Sequence, residues 1–256
     1  MFIEERHKAI VDGLAKRMRM TMEEIQVLAK ASAATVRRDL EQLDAEGRIV
    51  RVHGGAVFPG YLDGEPTFTE KSREAVLAKA AIAGRVADLV TPGSAVFVDS
   101  GTTCLEVGKR LLPRKDVTIY TNSVPLIGAP GSRAARLVGI GGEVRDVSRA
   151  LVGALSLSWL NHVRFDIAVI GASGLSAKEG LSTTELSEAS VKQQLVQRSA
   201  TRILAADSTK WGKPRSISFA GWEDVHHWVT DRAIPRDAVT FATDRRVRVE
   251  IVGEKK

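Results

Sequence analysis

Ser32-Ala33-Ala34-Thr35-Val36-Arg37-Arg38-Asp39-Leu40, continued by Glu41-Gln42-Leu43-Asp44-Ala45-Glu46 and then by Gly47-Arg48-Ile49-Val50-Arg51-Val52-His53-Gly54-Gly55-Ala56, is the stretch from which the rest of the chain can be read. At about 100° per residue, Val36, Leu40 and Leu43 fall on one stripe of a helix, while Ala34, Arg37, Arg38 and Glu41 project from the other side. The apolar stripe packs inward, which leaves the outer residues free for a partner. Ser32 is a good N-cap, and Ala33 and Ala34 are small enough to let the helix start approach a groove floor. Arg37 and Arg38 can then reach base edges or phosphates. Gly47 stops the helix as its C′ glycine. The alternation from Arg48 to His53 is strand-like, with Arg48, Arg51 and His53 available to a nucleic-acid backbone. An Arg-Arg pair alone more often belongs to a solvated helix face. Cap, helix, glycine stop and basic hairpin together reverse that preference and describe a DNA-reading helix followed by a wing.

The order Thr35-Val36-Arg37-Arg38-Asp39-Leu40, then Leu43, then Gly47 and Val50-Arg51-Val52-His53-Gly54-Gly55-Ala56, resembles the DNA-binding domain of the DeoR family of bacterial transcriptional regulators. The resemblance implies that Ser32, Ala34, Thr35, Arg37, Arg38, Arg48, Arg51 and His53 lie at double-stranded operator DNA. The family usually has a glycine in the turn before this helix, where this chain has Lys30. A lysine takes the left-handed conformation at a cost of about 1–2 kcal/mol.

Upstream, residues 4 to 18 are expected as a first helix, with Ile10, Leu14 and Met18 at helical spacing. Thr21 and Glu24 form a capping box that opens a second helix carrying Ile25, Leu28 and Ala29. With the reading helix these complete a winged helix-turn-helix over residues 1–57. The segment 58–69 is the expected linker, because Pro59, Gly60 and Gly64 interrupt any regular period.

With 256 residues, 44% of them hydrophobic, the chain can bury a sizeable core in one or two domains. Its single cysteine, Cys104, excludes a disulfide framework and a cysteine-based zinc site, and fits a reducing cytoplasm. At a helix start Cys104 is read as a small packing residue rather than an oxidant sensor. His226 and His227 are adjacent, would face opposite sides of a strand and could not share a metal; no metal, cofactor or catalytic residue is expected. No signal peptide or bilayer-spanning run is read. The net charge of +6 and pI of about 9.6 suit a nucleic-acid partner. Yet residues 1–58 hold ten Lys or Arg against nine Asp or Glu, so local placement rather than bulk charge marks the DNA-facing part.

Residues 70–256 read as a larger α/β domain with a mostly parallel sheet. A long helix is expected from about Glu70 to Val90, with Val76, Ala80, Ala83 and Val86 on one side. Strands are expected at Ala95–Val98, Val117–Tyr120, Arg136–Ile140, Ile167–Ile170, Ile203–Ala206, Trp228–Thr230 and Val247–Val252. The first six run directly into small or polar residues, which at the carboxyl ends of parallel strands can converge on one crevice. Asp99-Ser100-Gly101-Thr102-Thr103, between a strand and a helix from Leu105 to Leu112, has the parts of a phosphate cradle: a glycine for close approach, helix-start amides and three hydroxyls. Plain turn and cap roles account for such a segment equally well in isolation.

The resemblance to the DeoR family extends to this part. Asp99 to Thr103, Thr121-Asn122, Gly141-Gly142, Glu188-Ala189-Ser190-Val191-Lys192 and Asp207-Ser208-Thr209-Lys210 each look like the matching motif of the family's effector domain. That domain is similar in fold to ribose phosphate isomerase and senses phosphorylated sugars or related metabolites. Carried over, Asp99, Ser100, Gly101, Thr102 and Thr103 form the phosphate segment, while Asn122, Gly141, Lys192 and, more weakly, Lys210 line the rest. A solvated helix lysine is the plain alternative for Lys192, and a strand-end turn residue for Asp207. The rival function is a sugar phosphate isomerase, which needs a carboxylate base in the crevice. In the isomerases an Asp-Gly-Ala-Asp-Glu type segment supplies it, whereas Gly171-Ala172-Ser173-Gly174 stands here; the family's usual Asn or Asp is replaced by Ser173. The expectation is therefore a cytoplasmic regulator, more often a repressor, of carbohydrate genes. It acts as a homo-dimer or homo-tetramer, because specificity needs paired half-sites, and responds to a phosphorylated sugar or polyol.

Overall fold

The chain falls into two compact units, residues 1–67 and 68–256. The computed structural model describes residues 2–17, 19–52, 54–58, 65–131 and 133–253. His53, Met18 and the linker residues Pro59, Gly60 and Gly64 lie outside the described residues.

In the first unit, α1 (Ile3–Arg17), α2 (Met22–Ala29) and α3 (Ala33–Ala45) surround Ile10, Leu14, Ile25, Val36, Leu40 and Leu43, all essentially inaccessible. The capping box closes as expected: Thr21 Oγ1 accepts from the Glu24 amide at 3.3 Å and Glu24 Oε2 accepts from the Thr21 amide at 2.8 Å. Lys30 is left-handed, with φ 48° and ψ 46°, so it takes the turn conformation that a glycine would take freely. At the end of α3, Gly47 (φ 67°) donates to Asp44 O and Arg48 donates to Leu43 O, both at 2.9 Å. This is the Schellman arrangement expected of a C′ glycine. A three-stranded antiparallel sheet of β1 (Arg19–Thr21), β2 (Val50–Val52) and β3 (Gly55–Val57) completes the wing, with β3 in the centre. The strand β1 was not foreseen; its one inward residue, Met20, is buried.

The second unit begins with α4 (Phe68–Arg73), so helix starts two residues inside the stretch expected as linker. It is followed by α5 (Val76–Leu89). The single helix expected from Glu70 to Val90 is therefore two, broken at Glu74 and Ala75, where Ala75 has φ 47°. The break has a physical support. Lys79 is buried and sends its ammonium back to the Lys71 carbonyl, a cation satisfying a helix-end acceptor.

Next come β4 (Ala95–Val98), α6 (Thr102–Leu111), β5 (Thr118–Thr121), α7 (Val124–Ile127), β6 (Arg136–Gly139), and the hairpin of β7 (Glu143–Arg145) and β8 (Ala150–Val152). Then follow α8 (Ala154–Leu160), β9 (Phe165–Ile170), β10 (Gly174–Ser176), β11 (Gly180–Thr183), α9 (Leu186–Arg198), β12 (Ser199–Ala205), β13 (Ile217–Ala220), β14 (His227–Asp231), α10 (Arg236–Asp244) and β15 (Arg248–Val252). The expected strands are the seven of one parallel sheet, in the order β15-β14-β12-β9-β4-β5-β6. Alternate strand residues feed two cores. Val96, Val98, Val169, Ile203 and Val229 pack under α5 and α6, while Phe97, Ala168, Ile170, Leu204 and Trp228 pack under α8, α9 and α10. Burial on both faces is why these strands read as continuous apolar runs. A small antiparallel sheet, β10-β11-β13, and the β7–β8 hairpin were not foreseen.

The chain lays down β4, β5 and β6 in one direction, then returns to the other side of β4 for β9 and continues to β12. The sheet therefore reverses its winding between β4 and β9, the place beyond the strand ends where parallel α/β sheets bind their ligands.

Candidate DNA interface and ligand crevice

On α3 the outward residues are those expected. Ala34, Arg37 and Arg38 are exposed, and neither arginine has an ion-pair partner among the described residues. Ser32 and Thr35 face each other across the helix start, with hydroxyl oxygens 3.0 Å apart and the Thr35 amide donating to Ser32 Oγ. Their first role is thus the cap. Arg48 pairs with Glu46 at 3.3 Å and Arg51 with Glu41 at 3.2 Å, all four well exposed. Surface pairs of this kind contribute about 0–1 kcal/mol and exchange readily for a phosphate. An open groove lies between the start of α2, the Arg37 side of α3 and Arg51, Val52, Gly54 and Gly55 of the wing.

In the second unit the strand ends bring Asp99, Ser100, Asn122 and Lys192 together. Asp99 follows β4 and is fully buried; its carboxylate accepts from the Ser100 amide at 2.8 Å and from the Gly171 amide, after β9, at 3.1 Å. The Lys192 ammonium, from α9, pairs with the same carboxylate and donates to Gly171 O at 3.1 Å. Burial lowers the Lys192 pKa, but Asp99 and Glu188 outweigh it and hold the group above the usual lysine value. Burial likewise raises Glu188, and Arg145 and Lys192 outweigh it, leaving the carboxyl below its usual range. Arg145 donates to Glu188 at 3.0 Å, as does the Thr183 hydroxyl. Two buried ion pairs, Asp99–Lys192 and Glu188–Arg145, thus run from the switch point to the β7–β8 hairpin, with Lys192 drawn to Glu188 and with Glu185 reaching Arg145 at 4.0 Å. Lys192 and Asp99 look inward, toward each other.

The phosphate-type segment stands beside this pair. α6 starts at Thr102, earlier than expected, with Gly101 as N-cap (φ 114°) and no side chain capping its first-turn amides. Ser100, Thr102 and Thr103 carry the hydroxyls of this segment, and that of Ser100 lies 3.5 Å from Asp99 Oδ1. Asn122 Nδ2 reaches Ser100 Oγ and Leu151 O, each at 3.5 Å, while its buried Oδ1 has no partner. Cys104 is buried within α6, and burial pushes its thiol far up, consistent with packing rather than reactivity.

Gly141 and Lys210 lie further out. Gly141 follows β6 and lies against Leu155, and Lys210 follows β12; at about 4.8 Å per strand these ends are about 19 Å apart. Around Lys210 the sequence reading missed a residue. Asp207, almost fully buried, has a carboxylate oxygen without a partner, and buried Lys79 lies close enough to feel both Asp207 and Lys210. Burial lowers the Lys79 pKa, and Asp207 offsets this only in part. Lys79 opens the buried stripe of α5 with Ile82, Ala83 and Val86, whereas Val76, expected on that side, is exposed; a lysine three and four residues before Ile82 and Ala83 was the available signal.

Residues 6–60 match the sequence profile of the DeoR-like helix-turn-helix domain, and residues 74–232 match that of the DeoR C terminal sensor domain. The chain belongs to the DeoR family. It is a DNA-binding transcriptional regulator with an amino-terminal helix-turn-helix and a carboxyl-terminal sensor domain. The uncharacterized HTH-type transcriptional regulator FruR of Bacillus subtilis is 32% identical over 90% of this chain and 92% of its own length. The glycerol-3-phosphate regulon repressor of Escherichia coli is 27% identical over 96% of this chain and 98% of its own. Among solved structures, ribose 5-phosphate isomerase A of Methanocaldococcus jannaschii is similar at 16% identity, with 53% of this chain and 54% of that one covered and a TM-score of 0.38. Among the described residues no helix is long and apolar enough to cross a membrane.

Proposed function

We propose that this DeoR-family chain is a cytoplasmic repressor of a carbohydrate-metabolism operon, that it binds paired half-sites as a homo-oligomer, and that a phosphorylated sugar or polyol sets its affinity for the operator. The observation that carries the effector reading is the uncapped amino end of α6. Its free amides, the Gly101 approach and three hydroxyls offer charge-assisted hydrogen bonds to a phosphate at a helix amino end. Asn122, with its orphaned Oδ1, and the Lys79, Asp207 and Lys210 group are the polar partners on either side for the remainder of the ligand. The repressor of glycerol-3-phosphate genes among the relatives supports a small phosphate ester as the ligand class. On the DNA side Arg37 and Arg38 read bases or phosphates, and Arg48, Arg51 and His53 follow the backbone.

An isomerase is the rival reading. The carboxylates nearest the switch point, Asp99 and Glu188, are committed to Lys192 and Arg145, and the segment after β9 carries no acid. A proton-shuttling base would have to be free of such a partner, which leaves Asp207, with its unpartnered carboxylate oxygen, as the acid an isomerase would have to use. Thr102→Glu tests the site: it places a fixed negative charge where the phosphate belongs. In a thermal-shift panel of sugar and polyol phosphates and their unphosphorylated parents, the wild type should be stabilised only by a phosphate, by about 2.7 kcal/mol at a hundredfold excess over Kd. Thr102→Glu should lose that response while remaining folded. An undiminished response in Thr102→Glu would place the ligand elsewhere, and turnover of the phosphates by the wild type would favour the enzyme.

A further inference from the structure

Asp39 is a charged residue on the buried side of α3, three positions after Val36 and beside Leu40. Its carboxylate is 3% exposed, and its donors come from another helix. Arg6 of α1 forks onto it, with Nη2 donating to Oδ1 at 2.8 Å and Nε donating to Oδ2, and His7 Nε2 lies 3.2 Å from Oδ1. Because an ionised carboxylate only accepts, His7 is the donor in that contact. Burial drives the Asp39 carboxyl upward, and Arg6 and His7 more than reverse it, so the group stays ionised. Asp39 is also the immediate neighbour of Arg38 and two residues from Arg37, the exposed pair without ion-pair partners.

We propose that Arg6, His7 and Asp39 form a positioning clamp that fixes the rotation of α3 about its axis, and through it the sequence specificity of Arg37 and Arg38, without touching DNA. The inference rests on the reading of Arg37 and Arg38 as the DNA-facing pair. An apolar ridge such as Val36, Leu40 and Leu43 lets a helix roll between near-equivalent packings. A planar guanidinium with two parallel bonds to one carboxylate does not, since both bonds lengthen as the planes turn. A roll of about 20° carries a side chain about 5–6 Å from the axis through about 2 Å, beyond what a bidentate contact to a base tolerates. The clamp also turns Asp39 inward, away from the two arginines, while the outward Glu41 is paired with Arg51.

Charge and clamp predict opposite results for Asp39→Asn. Removing a negative charge next to DNA should by itself tighten binding to any sequence, whereas releasing the clamp should weaken binding only to the preferred one. The full chain would be used to select its preferred duplex from a random library of about 30 base pairs, long enough for two half-sites. Affinity for that duplex and for an unrelated one would then be measured against salt for the wild type, Asp39→Asn, Arg6→Lys and an Arg37→Ala/Arg38→Ala double variant. The expected result for Asp39→Asn is a loss of about tenfold or more on the selected duplex, none on the unrelated one, and an unchanged salt slope because no phosphate contact is removed. Arg6→Lys keeps the charge and loses the fork, so it should lose part of the same ratio. It decides the matter if circular dichroism shows Asp39→Asn unfolded. A folded Asp39→Asn, or in its place Arg6→Lys, that keeps the wild-type ratio of selected to unrelated binding overturns the clamp. The double variant keeping that ratio would instead overturn the reading of Arg37 and Arg38, and the two failures are distinct.

Discussion

Asp99 is held by two backbone amides and one ammonium with no exposed surface, and its energetics differ from those of a surface ion pair. Desolvating both charges offsets much of their attraction, but removing one partner leaves the other buried and unanswered. Lys192→Met should therefore cost about 3–5 kcal/mol in urea unfolding of the sensor unit, and Asp99→Asn added to Lys192→Met should recover most of it. A recovery no better than additive would show that the pair does not act as one. Acid stability follows from the same kind of bookkeeping. Asp39 and Glu188 have folded-state pKa values below the ordinary carboxylate range. Each contributes stability that is complete above the unfolded carboxylate pKa and is lost as pH falls through the folded value. Denaturant midpoints should hold from neutrality to about pH 5 and fall below it, and Asp39→Asn should flatten the acid limb of the DNA-binding unit alone. These residues were only partly legible. Asp39 and Lys79 each interrupt an apolar stripe, a signal that one sequence contains. The pairing of Asp99 with Lys192, 93 positions apart, follows from topology and is not visible to any local pattern.

Among the elements, the seven strands of the parallel sheet were legible because burial on both faces makes each an unbroken apolar run between turn residues. The strands that escaped are three or four residues long with at most a few inward side chains, as in Arg19-Met20-Thr21, where one buried methionine is too short a pattern to show a period of two. The break between α4 and α5 escaped for a different reason. Glu74 and Ala75 are good helix formers, and the Lys79 ammonium that meets the Lys71 carbonyl beyond the break is not part of any helical period. The wing depends on one close approach: a Cβ on Gly55 would lie 2.1 Å from the Met20 carbonyl oxygen and 3.0 Å from Thr21 Cα, both backbone of the paired strand. Gly55→Ala should part β3 from β1 at a cost of about 1–3 kcal/mol, lowering the melting temperature of the DNA-binding unit and leaving that of the sensor unit unchanged. Two unchanged transitions would mean that the strand accommodates a methyl group.

For the whole molecule, the order of a DNA-reading unit followed by a parallel α/β sensor was legible from caps, glycine stops and strand-end polar segments, because each is a local solution to a local hydrogen-bonding problem. What could not be read is which polar groups share one ligand, since Asn122, Gly141, Lys192 and Lys210 come from segments far apart in the chain. On the proposed function, a phosphate ester held at the amino end of α6 changes how tightly α3 and the wing hold DNA. A ligand can do this only to the extent that it binds one conformation of the chain better than another, and the coupling is typically 5- to 150-fold. The direct measurement is the affinity of the full chain for its selected duplex, titrated with the sugar phosphate that raises its melting temperature most and, in parallel, with the unphosphorylated parent. A change of about tenfold or more with the phosphate, none with the parent, and none with either in Thr102→Glu is the predicted result. A duplex affinity that stays constant while the phosphate saturates the sensor would contradict it.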